Sequence, residues 1–384
     1  MEPVKEEVRK EAKVIIPKQK RYGFIDQFRG IVILLFVVAD ITWSWSGDIV
    51  SGLLPVGPTW LNHGWKFYDF TPKQMITLID IGQMLFVFVM GLMLPLSWRR
   101  HKEKGGYGNA IGQLLVRLGW FYLIAGVMDD FDWKPMFLTN TFAVLAAAMI
   151  MATLVAALVK DPTKRFYVNI ALMILLTVLY ALPAVRMWEQ QIFGVDDEIE
   201  IIPLNLLGAS IVAIQGGIFM EWFVKAKENP IDANKKILKV SMIAWIACFF
   251  IDYFWWADHH AMNTSLILMS IGAGGFLFVI FRMFEDRYEW KIPGLSPFGR
   301  NTLLAFILAL PFQFIVWDLL DLESFKTAPW PLSPIIAIVS IVMMFGLYYA
   351  ILIPLDKVNW YFTPSIFIRA IKYGVDKNKE KKKS

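Results

Sequence analysis

Residues 139–159 read TNTFAVLAAAMIMATLVAALV, and Lys160 follows at once. The stretch contains no acidic or basic side chain. A helix of about that length crosses the roughly 30 Å of hydrocarbon in a bilayer. The pattern recurs along the chain. Ten candidate spans fall at 27–46, 75–98, 110–127, 139–159, 168–186, 203–224, 237–254, 264–283, 301–320 and 332–354. Composition agrees: 57% of the 384 residues are apolar and 18% are charged, against about 25% charge in soluble domains. The expected fold is all-α, a polytopic integral membrane protein of about ten transmembrane helices. The single cysteine, Cys248, lies in an apolar run and leaves no internal disulfide to form. No nucleic-acid motif is present, and the net charge of +5 suits anionic lipid headgroups.

Charge fixes the expected orientation. Of the 38 Lys and Arg residues, 31 fall in the N-terminal arm, the even-numbered connections with the span ends beside them, and the tail. The five opposite connections hold Lys66, Lys73, Lys134, Arg186 and Lys326. Such alternation is the positive-inside pattern and puts both termini in the cytoplasm. Residues 1–21 read as a charged cytoplasmic arm, 22–354 as one transmembrane domain and 355–384 as a basic cytoplasmic tail. The opening segment has neither the apolar core nor the small-residue cleavage site of a signal peptide. The first span is therefore expected to remain in the protein. A cytoplasmic membrane is the expected location.

Polar residues inside apolar spans cost about 2.5–3.5 kcal/mol each when charged, so they tend to face a cavity or a partner. Asp40 lies toward the outer end of the first span and Asp80 toward the outer end of the second. Antiparallel packing brings the two carboxylates to one depth, and His63 lies in the loop between them. A histidine held by a carboxylate is suited to act as a general base at neutral pH. The plainer reading makes each Asp a packing partner and His63 an interfacial residue. His259 and His260 share the outer side, whereas His101 falls in the basic inner loop WRRHKEKGG and reads as solvated. At the inner mouth, Arg29, Arg117, Arg99 and Arg100 could clamp the phosphates of a nucleotide-like ligand. The positive-inside rule alone accounts for Arg99 and Arg100, but not for Arg117, about seven residues into its span.

Several stretches occur in an order that resembles the transmembrane acyltransferases related to heparan-alpha-glucosaminide N-acetyltransferase. Phe24-Ile25-Asp26-Gln27-Phe28-Arg29-Gly30 is similar to that family's opening Asp and Arg-Gly. His63 and Trp65 stand where it has a His and a Trp in the first outer loop. Thr77, Asp80, Phe86, Phe88 and Gly91 follow in register. DHHAMNTS, residues 258–265, matches a polar outer loop, Glu285 or Asp286 an acidic position, and Gly299-Arg300-Asn301 a Gly-x-Asn helix start. The order covers residues 24 to about 320. About seven extra residues separate His63 from Thr77, Gln83-Met84 replaces a Phe-Pro, and His259 and Met262 replace a Lys and a Trp. These departures lie on the acceptor side.

The resemblance implies transfer of an acetyl or other acyl group from cytoplasmic acyl-CoA to an extracytoplasmic amine or hydroxyl, a sugar being the expected acceptor. It implies His63 as the catalytic base with Asp80 or Asp40 orienting it. Arg29, Arg117, Asn301, Arg300 and Arg100 would hold acetyl-CoA. Trp65, His259, His260, Asn263 and Thr264 would face the acceptor. No metal is expected. Expected partners are acyl-CoA, a small-molecule or glycan acceptor, membrane lipids and, as one option, a second copy in a homodimer. A proton-coupled secondary transporter using the buried Asp and His residues is the alternative, although no matched halves of the transporter kind are visible. A non-enzymatic scaffold is a third reading, under which loss of His63 would change nothing.

Overall fold

The computed structural model describes residues 22–44, 65–66, 74–75, 80–128, 131, 141–182, 204–226, 230–254, 262–289, 292, 294–319 and 332–361. The helices are α1 (Gly23–Ser44), α2 (Asp80–Met128), α3 (Thr141–Leu158), α4 (Pro162–Ala181), α5 (Leu204–Lys225), α6 (Pro230–Phe254), α7 (Thr264–Tyr288), α8 (Leu295–Arg300), α9 (Thr302–Leu319) and α10 (Leu332–Lys357). Two strands, β1 (Trp65–Lys66) and β2 (Gln74–Met75), pair antiparallel between α1 and α2. Among the described residues, six helices are long and apolar enough to cross a membrane: α2, α3, α4, α5, α7 and α10. The all-helical membrane character therefore stands.

The longest helix is a hairpin. A continuous helix would hold Ser97 and Arg117 about 30 Å apart, yet Arg117 Nη2 donates to Ser97 Oγ over 2.9 Å. The chain reverses at Gly105 and at Gly106, whose φ of 70° and ψ of −170° belong to a region open essentially to glycine alone. The two arms correspond to the second and third spans read from sequence. The turn is tighter than expected, because helix persists through Lys104.

α5 forms the centre, with 83% of its most apolar window buried. It packs against α2, where a Cβ on Gly91 would strike the Ala213 carbonyl, and against α3, α4 and α7. By contrast, α4 and α10 have 22% of their windows buried and present apolar side chains outward, as lipid-facing helices do. α4 begins six residues before the span expected at 168. Asp161 caps it by accepting from the Lys164 N–H over 3.2 Å, and Pro162 occupies the first turn. The charged first turn conceals that start from a hydropathy reading. The span expected at 301–320 is α9, and the short α8 precedes it across Asn301.

One end of the bundle gathers the basic helix termini. Glu221 near the end of α5 pairs with Arg99 at the α2 turn and with Arg165 in the first turn of α4. Tyr22, before α1, packs edge-on to Phe223 of α5. Lys236 of α6 sits 3.8 Å over the Trp222 ring. Arg282 near the end of α7 donates to Asn234 of α6 over 2.9 Å. These contacts bring to one face the helix ends that the charge alternation assigns to one side.

Candidate functional site

The opening motif and the Gly-Arg-Asn motif meet at this basic end. α1 crosses α8 so closely that a Cβ on Gly30 would strike the Leu295 carbonyl, and one on Gly299 the Asp26 carbonyl. Gln27 Oε1 accepts from the Ile292 N–H over 2.8 Å, and the Glu285 carboxylate accepts the Phe24 N–H at the start of α1. Arg300 bridges Asp356, at 2.9 and 3.0 Å, and Asp26, at 3.5 Å. Two carboxylates thus neutralise Arg300. Asn301 is fully buried, its amide directed to the Trp360 carbonyl at 3.5 Å. Both residues were expected to hold acetyl-CoA. In the structure they tie α1, α8 and α10 together.

Arg117 is different. It is half-buried and donates to Ser97, and among the described residues no carboxylate pairs with it. Arg165, Arg282 and Arg300 each have one. Arg29 of α1 lies close enough to Arg117 for the two guanidinium groups to repel each other. The Arg117 side chain lines a notch between the arms of α2, with Ser97, Trp98, His101, Gln113 and, from α3, Thr153. The notch is shallow, with about 20 Å³ of room, enough for a water or two, and it opens to the surroundings. Arg100 is exposed at its rim. Burial, then the charges of Arg117, Arg100 and Lys104, holds the His101 imidazole below the usual histidine range. His101 is therefore not the solvated loop residue expected from sequence.

At the opposite end, α7 starts at Asn263, whose side chain caps the helix by accepting from the Leu266 N–H over 3.2 Å. The Thr264 hydroxyl lies 2.7 Å from that of Thr177. Asn263 and Thr264, the residues expected to face an acceptor, are both buried, and Thr264 holds the α7 terminus against α4. Ser265 Oγ donates to Asp252 Oδ1 over 3.3 Å and lies 3.5 Å from Cys248 Sγ. Asp252 was missed in the sequence although it carries the same intraspan-carboxylate signal as Asp40 and Asp80.

Asp40 lies in the last two turns of α1, and Asp80 opens α2. Both backbone positions are at this opposite end, as expected, but the two side chains lie outside the described set. Trp65 opens β1, paired with Met75. His63, His259 and His260 lie outside the described residues, so no distance joins them to either carboxylate. No group of three metal-ligating side chains occurs among the described residues. No protein-family model matches the chain, and no curated protein matches it.

Proposed function

We propose that this protein is a membrane-embedded acyltransferase that draws acyl-CoA from the cytoplasm and acylates an amine or hydroxyl on the far side, a sugar being the favoured acceptor. The observation that carries the reading is Arg117: an interior cation without an acidic partner among the described residues, beside a second arginine, in a notch at the basic end. That arrangement fits a multiply charged phosphate ligand. The ordered motifs from Asp26 to Asn301 supply the acyl-transfer chemistry by resemblance.

In this account Arg117 and Arg29 hold the donor's phosphates, with Arg100 at the rim, and the thioester extends toward the far end. His63 takes the proton from the acceptor as its nitrogen or oxygen attacks the thioester carbonyl. Asp80 or Asp40 holds the imidazole and stabilises its charge. The carbon–sulfur bond breaks, and the CoA thiolate leaves and takes up a proton. An acyl-histidine intermediate would meet the same balance in two steps.

The test is release of free thiol from acetyl-CoA by purified protein in detergent, with slow transfer to water serving as the signal. Release by the wild type, lost in His63→Ala while CoA still stabilises that variant against heat, is the expected result. Equal release by His63→Ala would remove the histidine from the chemistry.

A further inference from the structure

His101 is absorbed neither by the fold nor by the acyl-transfer reading. Its backbone carbonyl accepts the Asn109 side-chain N–H over 2.8 Å, which fixes the last turn before the hairpin bend. Its imidazole lines the notch with Arg117 and Ser97. The charged groups acting on it are Arg100 and Lys104 from its own arm and Arg117 from the facing arm, all cationic. α3 contributes Thr153 to the notch, which does not titrate, and Arg29 of α1 adds its charge beside Arg117. The notch thus gathers positive charge around the imidazole, which disfavours its second proton.

A phosphate entering this notch would reverse the balance. It would meet the Arg117 guanidinium and Ser97 hydroxyl, and its negative charge would favour the second imidazole proton that the surrounding cations now oppose. We propose that the notch is a phosphate-binding site in which His101 joins Arg117 as a direct contact and becomes imidazolium as the phosphate enters, so that binding takes up a proton. The inference takes the ligand's identity from the acyl-CoA reading, but its phosphate chemistry stands on the notch alone. An anionic lipid headgroup presents the same chemistry.

The sign follows from linkage. A group whose pKa rises on binding makes the complex tighter as pH falls, by up to about tenfold per pH unit for one proton. The effect should lie around neutrality, between the depressed value of the empty site and the raised value of the occupied one.

The experiment titrates CoA into full-length protein in phosphatidylcholine nanodiscs by calorimetry, from about pH 6.5 to about pH 8.5. The wild type should weaken several-fold across that range. His101→Gln should bind weakly, and His101→Lys tightly, and both should lose the wild-type slope. CoA's own phosphate titration is common to all three proteins and cancels in the comparison. An unchanged slope in His101→Gln would overturn the proposal while leaving acyl-CoA binding intact. If CoA does not bind but inorganic pyrophosphate does, with a slope that His101→Gln abolishes, the site stands and the acyl-CoA reading falls. Competition by phosphatidylglycerol in the discs, lost in His101→Gln, would identify a lipid headgroup as the occupant. Failure of all three phosphate probes to bind would overturn the site.

Discussion

Glu221 has 1% of its surface exposed and lies between two guanidinium groups, those of Arg99 and Arg165. A buried charge pair adds little net stability, but removing one partner strands the other. Glu221→Gln should therefore cost about 3–5 kcal/mol, read as a large fall in thermal midpoint in detergent. Replacing both partners, as Arg165→Met with Glu221→Leu, should recover most of the loss, because Arg99 is half exposed and can rehydrate. Equal loss in the single and double variants would contradict this account. Glu221 carries the signal of an acid inside an apolar run but was missed in the sequence. Its partners were not visible, since they lie on two other helices. The same limit explains Arg300. Its motif was legible, whereas its neutralisation by Asp26 and Asp356 appears only when α1 and α10 converge on it. Arg117 was legible from depth alone, because nothing in the positive-inside rule requires an arginine that far into a span.

The helices record where hydropathy is a sufficient guide. Both arms of α2 and the bodies of α5 and α7 follow apolar runs closely. Boundaries set by capping do not, as at Asp161-Pro162, where a charged turn continues an apolar helix into the polar region. The close crossing of α1 and α8 is also invisible to hydropathy, since it depends on glycines whose partners are backbone atoms. Gly299→Ala would place a methyl group on the Asp26 carbonyl. Overpacking of this kind costs about 1–3 kcal/mol, and here the obstacle is backbone rather than a movable side chain. The expected result is a lower thermal midpoint with reduced yield of folded protein. Gly346→Ala, at a position open to added volume, should be close to neutral. Similar behaviour of the two variants would contradict the packing at the crossing.

Across the whole molecule, alternation of basic residues anticipates which helix termini meet, and the ion pairs at one end bear this out. Which side of the membrane that end faces is a prediction of the positive-inside rule. In a Cys248→Ser background, Glu103→Cys should react with a membrane-impermeant maleimide only in inverted vesicles, and Lys66→Cys only in right-side-out ones. The opposite result would reverse the proposed donor and acceptor faces. The proposed acceptor side was the least legible part of the sequence, because His63, His259 and His260 belong to segments whose conformation no periodicity specifies. The proposed donor side was more legible, because a cation deep in a span is costly enough to stand out.

The central claim is that Arg117 holds the phosphates of an acyl-CoA. The most direct measurement is CoA affinity of purified wild-type protein and Arg117→Ala, alongside their thermal midpoints without ligand. Loss of charge-assisted hydrogen bonds worth about 1.5–3 kcal/mol should weaken binding by roughly 10- to 150-fold while leaving the fold intact. CoA binding of equal strength in both proteins, or none by folded wild type at millimolar CoA, would contradict the account.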